Sequence, residues 1–185
     1  MADPESGKRR VYFCALEPED HLEAIARLSE RCSIDILRLE PQFLRRYERF
    51  PVEDCCVILC HMFDGRTLLT DRDGLYNSFL LAAADASRGD VFLALTGLTS
   101  ATHSIASDDI VLKLVNDGQV SVQHFHAAQR FLTWADRGPS PAQIDLVAHP
   151  PPPLDLLPIA ASMRHHTRSK SRANSSSSYL RCTLL

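Results

Sequence analysis

The hydrophobic residues of the chain fall into short continuous runs that alternate with stretches of helical periodicity. Residues 91–95 are apolar throughout, as in a strand buried on both faces of a sheet, and residues 55–62 show the same pattern. A helical pattern follows in residues 107–117, which Gly118 ends. Apolar and polar residues then alternate over residues 120–122, which predicts another strand. The sequence from residue 90 to residue 125 therefore predicts a strand–helix–strand unit.

The remainder of the chain repeats this alternation. Further strands are predicted at residues 11–16 and 34–39, and a short helix or turn at residues 41–50. Longer helices are predicted at residues 18–32, 73–87 and 126–137. In the first of these helices, the residues expected on or near the buried side are Leu22, Ile25, Ala26 and Leu28. In the last they are Phe131, Leu132 and Trp134.

Five strands alternating with four or five helices are typical of an α/β fold with a mostly parallel sheet and flanking helices. We expect a flexible N-terminus at residues 1–10 and the α/β domain at residues 11–140. A proline-rich segment at residues 141–163 contains two apolar stretches able to dock on the domain, residues 142–148 and 154–163. Residues 164–185 are rich in serine and basic residues, which predicts a disordered tail.

Charge is distributed unevenly along the 185 residues. Residues 164–185 contain five basic residues and no acidic one, so the net charge of −3 leaves −8 for the first 163 residues. A domain with this acidic balance is not expected to bind nucleic acid directly. The six cysteines show no paired Cys-x-x-Cys spacing, and four of them lie in predicted strands, which indicates buried thiols in a reducing compartment.

The loop after the first strand carries the wrong residues for binding a phosphate. It contains Glu17, Glu19 and Asp20, and it lacks the glycines and the lysine with which a phosphate loop surrounds its ligand. Three carboxylates would repel a phosphate at this position. A base-reading Asn-Lys-x-Asp is also missing after residues 91–95.

The other candidate metal and catalytic sites lack the full set of residues that their chemistry needs. Cys60 and His61 are neighbours on a strand, so their side chains point to opposite faces and do not share a metal. His124 and His126 would share a face of a continued strand, but they have no third ligand. The loop at residues 96–104 offers hydroxyls and one glycine, which leaves an enzyme as an alternative. We predict no enzymatic activity, no cofactor, no metal site and no small-molecule substrate.

The last four residues, Cys182-Thr183-Leu184-Leu185, have the form of a prenylation signal with the terminal leucine that geranylgeranylation prefers. One lipid chain beside a basic tail gives stable membrane anchoring. A cysteine that stands fourth from the end by chance is the alternative. We therefore expect contact with a membrane only if Cys182 is prenylated.

The ordered set of strands and loops resembles the centromere protein M family, the small-GTPase-like pseudo-GTPase of the inner kinetochore. Cys56-Val57-Ile58-Leu59-Cys60 resembles its central strand. Phe92-Leu93-Ala94, Thr96-Gly97, His103-Ser104-Ile105, and then Val111 with Lys113-Leu114 resemble its next strand, loop and helix. The first strand followed by Glu19-Asp20 also fits the family. The resemblance covers residues 11–137 and is strongest over residues 54–115.

The resemblance implies a Ras-like fold that lacks nucleotide-binding motifs and acts as a non-catalytic scaffold. It also implies a nuclear protein at the centromere, in a complex with centromere proteins I, H and K. A partner surface should be an exposed apolar patch, and the candidates are Phe43, Tyr47, Phe50 and residues 154–159. The alternative is that these residues cover the domain's own core. A prenylated, membrane-anchored Ras-like pseudo-GTPase in signalling or trafficking is the alternative function.

Overall fold

The structure is a computed structural model that describes residues 7–44, 47, 49–62, 74–97, 104–105, 108–134 and 138–155. The strands are β1 Arg9–Ala15, β2 Cys32–Arg38, β3 Cys56–Met62, β4 Val91–Thr96, β5 Ser104–Ile105 and β6 Phe131–Thr133. The α-helices are α1 Leu22–Ser29, α2 Pro41–Leu44, α3 Asn77–Ala86, α4 Asp108–Asn116, α5 Val122–Ala127 and α6 Pro141–Ala148. A 3-10 helix, Pro18–His21, leads into α1.

The strands form one sheet in the order β2-β1-β3-β4-β6-β5. The first five are parallel, and the two-residue β5 pairs antiparallel with β6 at the edge. This is the α/β arrangement of Rossmann-type and Ras-like proteins, so the predicted fold class is confirmed. The carboxyl ends of the five parallel strands lie at one edge of the sheet, where such folds place their ligands.

Both faces of the sheet are covered. On one, which we call the α3/α5 face, α3, α4 and α5 bury residues such as Phe79, Leu114 and Phe125. On the other, the α1/α6 face, α1 and α6 bury Leu28 and Val147. The six residues of β4 are all buried, as its continuous apolar run predicted.

The second strand of the predicted strand–helix–strand unit was misplaced. Residues 120–122 do not form a strand, because Val122 begins α5 and faces inward together with Phe125, three residues later. The predicted helix at residues 126–137 is also wrong, since its apolar residues form β6. Two valines spaced by two residues do not distinguish a strand from the start of a helix, and the fully buried run at residues 131–134 is the stronger strand signal.

The predicted buried side of α1 was partly wrong. Ile25 and Leu28 are buried, but Leu22 is 63% exposed and Ala26 is also exposed. His21 takes the inward position of the first turn instead, with 6% exposure. It continues the buried stripe of α1 backward by one turn, at the spacing of one helix face.

α6 begins with a capping box. The Ser140 hydroxyl accepts a hydrogen bond from the Gln143 amide nitrogen at 3.3 Å, and the Ser140 nitrogen donates to the Gln143 side chain at 2.9 Å. The Gln143 side chain also donates to the carbonyl of Thr133 at 3.0 Å, which fastens the helix to β6. Ile144 and Val147 are buried, so α6 is docked against the sheet.

A buried arginine holds the segment that follows α6. Arg130 is 1% exposed, and its guanidinium lies 4.7 Å from the centre of the Phe92 ring. It donates to Asp90 Oδ1 at 2.7 Å, to the carbonyl of Pro151 at 2.7 Å and to that of Pro152 at 3.4 Å. One side chain therefore joins the start of β4, the start of β6 and the chain beyond α6.

Two further contacts complete this arrangement. Arg9 donates to the second carboxylate oxygen of Asp90 and to the carbonyl of Val147. The Leu154 nitrogen donates to the Gly89 carbonyl at 3.1 Å. Gly89 has φ +84°, and a Cβ there would stand 2.6 Å from the Leu154 carbonyl oxygen, so only glycine fits. We call Arg9, Asp90 and Arg130, with the carbonyls that the two arginines bind, the C-terminal clasp.

We expect Arg130→Met to lower the free energy of unfolding by about 3 kcal/mol, because removing one partner of a buried ion pair leaves charge and carbonyls unsatisfied. Urea unfolding followed by the fluorescence of Trp134, the only tryptophan and fully buried, measures the change. Arg49→Met is the matched control, since Arg49 is 85% exposed in its ion pair with Glu53. Equal stability losses for the two variants would contradict a structural role of the clasp.

Candidate functional site at the carboxyl edge of the sheet

A cavity of about 150 Å³ lies at the carboxyl ends of the parallel strands. β3 and β4 end side by side there, with Met62 paired to Thr96. Open α/β sheets bind their ligands at this edge, so the cavity occupies the position of a nucleotide site. The residues that line it are Asp20, His21, Glu23, Ala24, Met62, Thr96, Gly97 and Gly138.

The turn after β1 supplies the acidic side of the cavity. Pro18 fits the first turn of the 3-10 helix with its fixed φ, and Glu19 forms an ion pair with Arg38 at the end of β2. The 3-10 helix places Asp20 beside the cavity. Glu23, one turn later, adds a second carboxylate to the lining.

His21 is the buried titratable group of the site. Its ring centre lies 5.8 Å from that of Phe13, on the α1/α6 face. Burial lowers the pKa of the imidazole below its ordinary value of 6.5, and the neighbouring Asp20 carboxylate opposes part of that shift. The imidazole is therefore neutral near pH 7, and it contributes no positive charge with which to hold an anion.

The opposite side of the cavity is made by backbone and small groups. Gly138 has φ +74°, and a Cβ there would stand 2.8 Å from the Cα of Ala24, so the chain after β6 passes directly against α1. Arg27 fixes this approach by donating to the carbonyl of Pro139 at 3.3 Å. Thr96 and Gly97 close the cavity at the end of β4.

The described lining of the cavity lacks the groups with which proteins usually hold nucleotide phosphates. Among the described residues around the cavity are two carboxylates, and none is a lysine or an arginine. Ligand sites for small organic molecules usually enclose about 300–1,000 Å³, well above the size of this cavity. Residues 63–73, 98–103 and 135–137, which follow β3, β4 and β6, lie outside the described residues, as does most of the loop at residues 96–104.

Two of the three aromatic residues predicted to bind a partner, Tyr47 and Phe50, lie on the α3/α5 face. Phe50 is 2% exposed, with its ring centre 5.7 Å from that of Tyr12 and 5.8 Å from that of Phe79. Tyr47 is half-buried, and its ring centre is 5.1 Å from that of Phe79. Phe50 therefore belongs to the core, as the intramolecular alternative expected. The side chain of Phe43 lies outside the described residues.

The C-terminal candidates are described only in part. Cys182 lies outside the described residues, and so do residues 156–159. Leu154, the first residue of the predicted apolar segment, is 6% exposed and packs against the core of the α3/α5 face.

The histidines do not gather into a metal site in the described part of the chain. Cys60 is buried on the α1/α6 face, whereas His61 turns to the other face and makes a 2.9 Å hydrogen bond with the Tyr76 hydroxyl, so their predicted separation is confirmed. His124 and His126 lie on α5 and not on a strand. No three potential ligands come together among the residues that the structure describes.

Sequence reasoning missed His21 and the exposure of Leu22. The available signal was the spacing of His21 to Ala24, Ile25 and Leu28, which places the histidine on the buried face of α1. A histidine before the first apolar residue of a helix is easily assigned to the preceding turn.

Within the described ranges, no helix combines the length and the apolar character that crossing a membrane requires. No family model, curated protein or solved structure matches the chain.

We expect stability to fall as the pH drops below about 6.5, the pKa of an unfolded histidine. The unfolded chain binds a proton at His21 more readily than the folded one, so the stabilisation is present above that pH and is lost as the pH falls through the lower folded pKa. Urea unfolding between pH 5 and 7.5 should show a shallower pH dependence for His21→Gln. His149→Gln, which replaces an exposed histidine, is the matched control.

We expect GTP, GDP and ATP with Mg²⁺ to leave the melting temperature unchanged, because carboxylates face the place where phosphates would sit. A ligand at about 100 times its dissociation constant would add about 2.7 kcal/mol, which is about 5–10 °C for a chain of this size. Differential scanning fluorimetry measures the shift, with sodium chloride of matched ionic strength as the control. A nucleotide-specific rise of several degrees would revive the enzyme alternative.

Proposed function

We propose that this protein is a non-catalytic pseudo-GTPase that serves as a scaffold subunit of the inner kinetochore. In this proposal it works in the nucleus in a complex with centromere proteins H, I and K, and supports centromere assembly and chromosome segregation. It requires no nucleotide and carries out no reaction.

The observation that carries the pseudo-GTPase part is the charge at the carboxyl edge of the sheet. A Ras-like fold that bound GTP would present glycines, backbone N–H groups and a lysine to the phosphates. In this chain the corresponding turn presents Glu17, Glu19 and Asp20, and Glu23 adds to the lining of the cavity. Within the described part of the chain, the ion pair of this turn is the one between Glu19 and Arg38.

The kinetochore part is supported by the resemblance to the centromere protein M family. Much of that resemblance falls on β3 and β4, whose alternating side chains fill the cores of both faces. Because these residues form the core, they indicate the fold and do not identify the partner. No single motif decides between this family and other Ras-like folds; the ordered set of matching strand, loop and helix residues is what favours it.

The alternative, a prenylated pseudo-GTPase at a membrane, depends on a separate feature. Cys182 stands fourth from the end of the chain, behind a basic tail. Both functions are compatible with the same α/β domain, so the discriminating experiment has to report on partners and on Cys182 together.

We expect affinity purification of the tagged full-length protein from dividing cells, followed by mass spectrometry, to recover centromere proteins H, I and K. Cys182→Ser is the matched variant, because it removes the only thiol that a prenyl group could modify at this position and changes nothing in the described domain. The scaffold function predicts equal recovery with both proteins and centromeric localisation of both.

A different set of partners would overturn the proposal. Recovery of a prenyl-binding chaperone or membrane effectors without centromere proteins, and loss of these partners in Cys182→Ser, would assign the protein to membrane-anchored signalling or trafficking.

A further inference from the structure

We draw no further inference here: the strongest candidate, the exposed apolar surface at Leu22 of α1 and Ile36 of the edge strand β2, carries no proposal because nothing among the described residues shows what covers it.

Discussion

A parallel sheet has to be covered on both faces, and this constraint explains most of the structure. The helices that cross from one parallel strand to the next provide the cover, and the strands beneath them become continuously apolar. Here β4 and most of β3 are buried, whereas in β2 Cys32 is buried and the other six residues are half-buried or exposed. Among the described residues the cover is closest at the centre of the sheet, and Leu22 and Ile36 remain exposed at its edge.

The amino and carboxyl edges of the sheet are used differently. At the amino edge, Asp90 joins Arg9 and Arg130, and Arg130 in turn holds the carbonyls of Pro151 and Pro152. A buried charge cluster of this kind tolerates little change, because each group satisfies another. At the carboxyl edge, Asp20 and Glu23 line the cavity. The chain thus fastens its C-terminal segment at the end of the sheet that is opposite the cavity.

The fold class was predictable because its signals are local. The apolar runs of β3 and β4 and the left-handed glycine after α4 are visible in a few consecutive residues. The positions of α5 and β6 were not predictable in this way. Val122 and Phe131 adopt helical and strand conformations because of the residues that pack against them. The exposure of Leu22 could not be predicted for the same reason. Which side of α1 is buried depends on how the helix packs on the whole sheet, and no single stretch of sequence determines it. The acidic charge of the turn that contains Glu17 and Asp20 could be predicted, because the charge of a side chain does not depend on how the chain folds around it.

The 3-10 helix after β1 shapes both the cavity and the exposed flank of α1. The 3-10 helix after β1 brings Asp20 to the cavity, where it repels phosphate, and it leads directly into Leu22, which stands exposed on the flank of α1. A phosphate loop at this place would have ended in a helix N-terminus pointing at the ligand. Instead, the buried neutral His21 fills the first turn and turns its neighbours Asp20 and Leu22 outward. The buried position of His21 thus decides which of its neighbours lines the cavity and which faces solvent.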